Sequence, residues 1–391
     1  MALLVCVIVG RVAGAAEDDL GDASELAARA AASALAAESG DEIDELAAES
    51  YDAIARDLAL RIEAIETERG HVTRELVTPM VELAKLHIAA DQCPNAIPLL
   101  KDALLLIQQL DGVLNVRQLP IYEPLLECFV ARDLLSDLKR AQEQVLLINE
   151  HAYGKGDERM IPALVHAGEW YEEAGDYESA RELHSRAMAI ARKVGGEQDA
   201  RLVDPLRAMA RTFRLQIQYE SEPWRGRALE GQAQRMLERA AKIVRSSTNV
   251  DMNLKIDTLL ELGDSYQMAG AVRDALKAYR EVWEADVAAG GSGAVLSEPE
   301  PVLYRAAVGV ALRRPPIERV KLRHYRIDFE FTVTRNGEVK DVVVTDATAP
   351  KHLHAGIAEN IKRTPFRPRF IEGEPVDTSD VRIRQGMWVE P

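Results

Sequence analysis

The sequence is poor in aromatic residues, and it contains no apolar run of the length that crosses a bilayer. Phe, Trp and Tyr make up 5% of the 391 residues, whereas alanine and leucine dominate the chain before residue 290. That composition favours helices that approach one another closely over a sheet-rich fold. With 47% hydrophobic and 29% charged residues, the chain has enough apolar material for two or three compact units.

The chain also lacks an excess of positive charge. It carries 48 Lys and Arg against 64 Asp and Glu, a formal net charge of −16. Because a protein that binds phosphate backbones needs a cationic surface, we expect no nucleic-acid partner. The negative charge is concentrated near the N-terminus, where residues 17–50 hold eleven acidic residues and one basic residue, Arg29.

Catalytic motifs are missing as well. The sequence contains no phosphate-binding glycine loop, no His-Glu-x-x-His and no Gly-x-Ser-x-Gly. His352 and His354 lie two positions apart at a predicted helix start, so they share no face and make a poor metal site. His166 falls within a repeat and needs no ligand to explain it. We therefore expect no catalytic residue, no cofactor and no metal. An enzyme, the disfavoured alternative, would need a convergent polar cluster in a pocket.

The N-terminus resembles a secretory signal peptide. Residues 2–10 form a short apolar core, and residues 13–15, Ala-Gly-Ala, have the small side chains of a cleavage site. The core is about half as long as the ~20 residues that span a bilayer. We therefore expect residues 1–16 to be removed, the mature protein to be periplasmic, and the acidic residues 17–40 to form a tether. No Lys or Arg precedes the core, so a start further upstream, with an inner-membrane anchor, is the alternative.

Cysteine is scarce, with three residues in the chain. Cys6 lies in the predicted signal peptide, which leaves Cys93 and Cys128, too few to define a disulfide scaffold. A bridge between them would need an oxidising compartment and helix packing that brings their Cα atoms within about 7 Å. The sequence leaves this pairing open.

Five similar segments recur along the helical part of the chain. They begin at Leu83, Leu125, Ala167, Met209 and Leu262, at intervals of 42, 42, 42 and 53 residues. A fixed period over several copies is the signature of a repeat array, and the longest interval carries an insertion at residues 219–232. Each segment pairs a small or slim residue with a bulky one on the same helical face. A turn and a second helix follow, which predicts antiparallel helix hairpins.

These segments resemble the tetratricopeptide repeat, in the longer form found in kinesin-light-chain-like arrays. The third copy has small residues at the expected crossing points, Gly175, Ala180 and Ala187. Glycine-containing joints separate the copies, at residues 109–112, 153–156 and 194–196. The resemblance implies an all-α solenoid of helical hairpins, coiled as a right-handed superhelix, over residues 41–289. A leading helix that ends near Gly70 would cap the stack.

After the repeats the pattern changes from helical to strand-like. Residues 290–316 begin with glycines and prolines, which predicts a linker. Tyr325, Phe329 and Phe331 alternate with charged and polar residues, which predicts a strand with one buried face. The Asn-Gly pair at residues 336–337 is the strongest short-range signal for a hairpin turn. Because the start of the linker lacks apolar periodicity, we expect the array and the C-terminal region to fold separately.

A helix and a last strand follow this hairpin. Apolar residues four apart predict the helix: Leu353, Ile357 and Ile361. The strand–strand–helix–strand order, with Pro-Phe-Arg-Pro at residues 365–368 and Glu-Gly-Glu-Pro-Val at residues 372–376, resembles the TonB C-terminal domain. The resemblance implies a small α+β domain (β-β-α-β) over residues 317–391. It also implies contact with a component of a Gram-negative cell envelope, such as an outer-membrane protein, in transmembrane transport.

Two groups of residues are candidates for binding a partner through the repeats. The first helix of the fourth copy carries a basic stripe, Arg207, Arg211 and Arg214. The first helix of the third copy carries an acidic stripe, Glu169, Glu172 and Glu173. In tetratricopeptide arrays the first helices line a groove, where the basic stripe would hold a carboxylate of a partner peptide. Alternatively, the two stripes neutralise one another across adjacent hairpins, with little effect on stability.

The last strand of the C-terminal domain is the other candidate. It carries Val381, Ile383, Gln385 and Trp388. In TonB-like domains this strand pairs with a strand of an outer-membrane partner, and backbone pairing at a sheet edge supplies the affinity. A structural cap or a dimerisation unit is an equal alternative.

The sequence as a whole predicts a non-enzymatic, periplasmic scaffold. Its array binds a protein or peptide, and its TonB-like domain engages an envelope partner. The alternative is a TonB-type energy transducer for outer-membrane transport whose membrane helix lies upstream of Met1.

Overall fold

A computed structural model describes residues 42–217, 219–220, 222–247, 250–302 and 323–389. The predicted signal peptide, residues 1–16, and the predicted tether, residues 17–40, lie outside these ranges. The chain divides within one helix into two compact units, one up to Ile190 and one from Ala191. In the part of the chain that is described, no helix combines the length and the apolar character needed to cross a membrane.

Helical hairpins form most of the described chain. A single helix, α1 (Glu42–Arg69), is followed within the described ranges by five hairpins. These are α2 (Val77–Ala89) with α3 (Cys93–Asp111), α4 (Leu119–Ala131) with α5 (Leu135–Tyr153), α6 (Met160–Glu173) with α7 (Tyr177–Gly195), α8 (Val203–Ile217) with α9 (Pro223–Ser246), and α10 (Met252–Met268) with α11 (Val272–Ala288). All five repeated segments lie in the first helix of a hairpin, which confirms the predicted repeat unit.

Glycines at a fixed spacing end the second helices. Gly112, Gly154 and Gly196 follow α3, α5 and α7 at the 42-residue period of the sequence. Their φ angles are 93°, 92° and 84°, in the left-handed region that only glycine adopts without strain. The positions where the backbone needs a glycine therefore recur at the same 42-residue period as the repeated segments.

Two other glycines let the paired helices of a hairpin touch. Gly168 of α6 faces His184 of α7, and a Cβ at this position would overlap the imidazole. Gly263 of α10 faces Tyr279 of α11 in the same way. Both glycines are the second residue of their repeated segment, so a ring packed on a glycine is a shared feature of the third and fifth hairpins.

The C-terminal region is a three-stranded sheet packed against a helix, with additional short strands. Its elements are β1 (Glu300–Pro301), β2 (Arg323–Val333), β3 (Val339–Ala347), α12 (Lys351–Arg363), β4 (Phe366–Arg367), β5 (Arg369–Ile371), β6 (Glu374–Val376) and β7 (Thr378–Val389). β2 pairs antiparallel with β3 and with β7, which makes a three-stranded sheet of order β3-β2-β7. β1 pairs with β4, and β5 pairs with β6. The longer elements follow in the predicted β-β-α-β order, and the short strands are additional.

The alternation along β2 places its aromatic residues in the core. Phe329 and Phe331 are 0% and 2% exposed, and they pack with Ile357 and Ile361 of α12. Tyr325 is half-buried at the margin of this core. The Asn-Gly turn joins β2 to β3, with the φ of Gly337 at 80°. The predicted strand face and the predicted hairpin are both confirmed.

The segment predicted as a linker is ordered over its first half. Residues 294–296 form a helical turn, and Leu296 is fully buried. Glu300 and Pro301 then pair with β4. The absence of apolar periodicity did not reveal this packing, because one buried leucine and two paired residues have no period. Residues 303–316 lie outside the described ranges, and the predicted domain bounds stay predictions.

Candidate functional site

Arg207 of the basic stripe on α8 is engaged within the chain. The Nη2 of Arg207 lies 2.8 Å from Oε1 of Glu261 and 3.7 Å from Oδ2 of Asp257, both on α10. Arg211 and Arg214 are half-buried. The Nη1 of Arg207 also lies 3.6 Å from Oδ1 of Asp204 on α8 itself. Two of the carboxylates beside Arg207 therefore come from the following hairpin, which the sequence patterns did not indicate. A role of the stripe in binding a partner peptide stays a prediction.

Glu172 lies in the core of the third hairpin. It is 6% exposed, and its Oε1 lies 3.2 Å from Nε2 of His184, which is fully buried. Gly168 and Glu172 are four residues apart, so both face α7. The glycine makes room for the imidazole, and the carboxylate contacts it. This burial corrects the assignment of Glu172 to an exposed stripe, and its spacing from Gly168 was the available signal.

His166 links the first helices of the second and third hairpins. Its Nε2 lies 3.0 Å from both carboxylate oxygens of Glu123 on α4, and its Nδ1 lies 3.3 Å from Oε2 of Glu169. The hydrogen bonds to Glu123 and then Glu169 raise the pKa of His166 to about 10. The imidazole therefore carries a proton at neutral pH and donates to both carboxylates. Trp170 meets this ring edge-on, with 6.1 Å between the centroids.

Two further glutamates extend this group into the first-helix cluster, defined as Glu123, Glu127, His166, Glu169 and Glu173. Glu127 and Glu173 are exposed to solvent. Partial desolvation, and then the charge of Glu123, raises the pKa of Glu127. Desolvation, and then Glu169, raises the pKa of Glu173. Desolvation is the main cause of both shifts, and the neighbouring carboxylates add to it.

A cavity of about 630 Å³ lies between α1 and the first hairpin. The Tyr51 hydroxyl donates to Oε1 of Gln92 at 2.7 Å and lies 2.8 Å from Nδ1 of His87. His87 stands where the repeated segment of the second copy has Phe129. Desolvation lowers the pKa of His87, so the imidazole is neutral at pH 7. The cavity offers hydrogen-bonding groups beside the apolar side chain of Leu83.

Strand β7 forms an edge of the three-stranded sheet. Among the described residues it has a strand neighbour on one side, β2. Val381 and Ile383 pack against the core, and Gln385 is 5% exposed. The backbone of Trp388 pairs with His324. The predicted residues therefore lie on an edge strand whose side chains mostly serve the core, which leaves backbone groups for a partner.

Cys93 and Cys128 form a disulfide between the first two hairpins. Cys93 begins α3, Cys128 lies in α4, and their Cα atoms are 5.3 Å apart. Both residues are buried. The sequence left this pairing open because 35 residues separate the two cysteines, and only the packing of adjacent hairpins brings them together.

The chemistry of these groups is that of recognition by charge and hydrogen bonding. The first-helix cluster combines four carboxylates with one imidazolium on neighbouring helices. Within the described ranges, no group of three or more His, Cys, Asp and Glu residues is arranged to hold a metal ion. A net negative surface of this kind attracts a cationic group of a partner.

Comparison with known proteins points to the same family as the repeats. Residues 159–221, which span α6 to α8, match the family described as tetratricopeptide repeat. The search of curated proteins found no match. Among solved structures, BtubC (BKLC) from P. vanneervenii is 17% identical, covering 68% of this chain and 97% of its own, with a TM-score of 0.40. A Podosopora anserina putative kinesin light chain with nearly identical TPR-like repeats is also 17% identical, covering 58% and 96%, with a TM-score of 0.42. The family match supports the tetratricopeptide-repeat resemblance for residues 159–221.

Proposed function

We propose that this protein is a non-enzymatic interaction scaffold of the bacterial periplasm, whose repeat array binds a protein or peptide. Tetratricopeptide arrays use stacked helices as an extended binding surface. The observation that carries the proposal is the first-helix cluster. On α4 and α6 it presents solvent-accessible carboxylates beside the ring of Trp170. The matching partner is a protein segment with a cationic side chain and an apolar neighbour.

Two features support export to the periplasm. Residues 1–16 have the apolar core and the small residues of a signal peptide. The disulfide between Cys93 and Cys128 is the kind of bond that persists in oxidising compartments and is rare in the cytosol.

The C-terminal domain gives the scaffold a second binding element. Strand β7 has an edge without a strand neighbour among the described residues, and a strand of another protein would pair there through backbone hydrogen bonds. The resemblance to the TonB C-terminal domain supports an envelope component, such as an outer-membrane protein, as this partner.

Site-specific photo-crosslinking in cells tests the array surface. A photo-crosslinking amino acid in place of Glu127 should capture a defined protein, and Glu169→Lys should abolish that adduct by adding positive charge beside it. The matched control places the same amino acid at Arg140 on α5, whose side chain is 74% exposed. Equal adducts from both positions would contradict a partner site on the first helices.

Fractionation tests the location separately. Alkylation of free thiols in intact cells, before lysis, should leave Cys93 and Cys128 unmodified, with the protein in the periplasmic fraction. Alkylation of Cys93 and Cys128 in protein from the cytoplasmic fraction would contradict the export proposal. The proposed binding surface of the array would still be tested by the crosslinking experiment.

A further inference from the structure

Arg367 of β4 is buried against the first helix of the fifth hairpin. Its Nη2 lies 2.9 Å from Oδ2 of Asp264 and its Nε lies 3.2 Å from Oδ1, which makes a two-point guanidinium–carboxylate pair. Its Nη1 lies 2.7 Å from Oε2 of Glu300 on β1. Both side chains of the pair are 11% exposed. The pair joins the repeat array to the C-terminal region.

Tyr279 of α11 completes the surroundings of this carboxylate. Its hydroxyl donates to Oδ1 of Asp264 at 2.9 Å. Desolvation, and then the charge of Asp264, raises the pKa of Tyr279, so the hydroxyl keeps its proton. The Tyr279 ring is fully buried and meets Phe370 of β5 edge-on, with 6.3 Å between the centroids. Asp264 therefore receives hydrogen bonds from the hairpin and from the C-terminal region together.

Two turns of the C-terminal region contact the same hairpin. The Nε2 of Gln267 donates to the backbone oxygen of Asn336 at 2.7 Å, and a Cβ on Gly337 would overlap this amide. A Cβ on Gly373 would lie 3.1 Å from Cε3 of Trp283 on α11. The Asn-Gly pair that makes the β2–β3 turn is therefore also a point of contact with the array.

In place of the separate folding expected from the sequence, we propose that the C-terminal domain is a fixed cap on the fifth hairpin, anchored by Arg367. In this proposal α10, α11 and residues 323–389 open as one cooperative unit. A solenoid needs a cover at its last repeat, because the apolar face there has no following repeat to pack against. Phe370 and Leu296 supply apolar cover close to that hairpin. The buried pair makes the cover specific, since loss of Arg367 leaves the Asp264 carboxylate without its cationic partner in a desolvated site.

The cap also has a consequence for partner binding, which rests on the proposed function. Asp264 is the third residue of its repeated segment, the position of Glu127 and Glu169 in the first-helix cluster. In the fifth hairpin a guanidinium of the same chain occupies this position. The fifth hairpin is therefore closed to a cationic partner, and the binding surface belongs to the earlier hairpins.

Hydrogen–deuterium exchange of the full chain tests the cap without any partner. Arg367→Met should speed exchange in residues 252–288 and in residues 323–389 by about a hundredfold, while residues 77–153 serve as the internal reference. The matched control is Arg384→Met, which removes the ion pair between Arg384 and Asp328. This pair lies in the same domain, but the Arg384 side chain is 53% exposed. This substitution should change exchange by less than about threefold.

A second variant approaches the contact from the array side. Asp264→Asn keeps the shape of the side chain but removes its charge, and it should speed exchange in residues 323–389 although it lies in α10. If Arg367→Met also speeds exchange in residues 77–153, the result for Asp264→Asn decides whether the cap is cooperative. The cooperative cap would be overturned if Arg367→Met sped exchange in residues 323–389 alone, or if Asp264→Asn sped it in residues 252–288 alone. Equal effects of Arg367→Met and Arg384→Met would overturn Arg367 as its anchor.

Discussion

Replacing Phe331 with alanine tests the core of the C-terminal domain. Phe331 is 2% exposed, and its ring meets that of Phe366 edge-on, with 5.4 Å between the centroids and 67° between the planes. Truncation of a fully buried phenylalanine costs about 3–5 kcal/mol, because apolar burial is lost and a cavity remains. The edge-on ring pair accounts for about 0.5–1.5 kcal/mol of that loss.

A domain of this size rarely has more than about 3–5 kcal/mol of stability from its own core. Phe331→Ala should therefore unfold residues 323–389. Since Phe366 directly precedes Arg367, the change should also release the cap and loosen α10 and α11. Residues 77–153 lie in the other compact unit and should keep their helical structure.

The assay is thermal unfolding by circular dichroism, combined with hydrogen–deuterium exchange for each region. Thr332→Ala is the matched control, because Thr332 is the next residue of β2, is half-buried, and points to the opposite face of the sheet. It should cost less than about 1 kcal/mol. Equal, small effects of the two substitutions would show that β2 does not bury the face described here.

Three further experiments test the array. Gly168→Ala places a methyl group into the imidazole beside it and should destabilise the third hairpin by about 1–3 kcal/mol in urea unfolding. Its control is Gly231→Ala on α9, where the added Cβ would lie at an ordinary contact distance of 3.5 Å from Nη1 of Arg235, and this change should stabilise the protein by about 0.5–1 kcal/mol. An equal response of the two variants would contradict the tight contact. Reduction of the Cys93–Cys128 bond, which closes a loop of 35 residues, should lower the free energy of unfolding by about 3–4 kcal/mol; no difference between oxidised and reduced protein would count against the bond. His166 should remain protonated through neutral pH in an NMR titration, because its folded pKa of about 10 lies above the unfolded value. Its stabilising contribution is complete below pH ~6.5 and is lost as the pH rises towards ~10, so an imidazole that titrates near 6.5 would refute the link to Glu123.

The local elements of this protein can be predicted from its sequence, because helices and strands place their buried residues at fixed spacings. The 42-residue period placed four first helices and the glycines after α3, α5 and α7, and the similar segment at Leu262 placed the fifth first helix. The two-residue alternation of β2 placed Phe329 and Phe331 in the core. In each case the signal lies within a few residues of the position that it explains, so no knowledge of the chain path is needed.

The functional contacts join residues that are far apart in the chain, and only the packing of hairpins decides them. His166 meets Glu123 across 43 residues, and Arg367 meets Asp264 across 103. Glu172 belonged to an acidic stripe by its residue type, yet the rotation of α6 turns it onto His184. A charge on a helix has the same sequence signature whether it faces solvent, a neighbouring hairpin or a buried partner, because the helical period sets the face but not what covers that face.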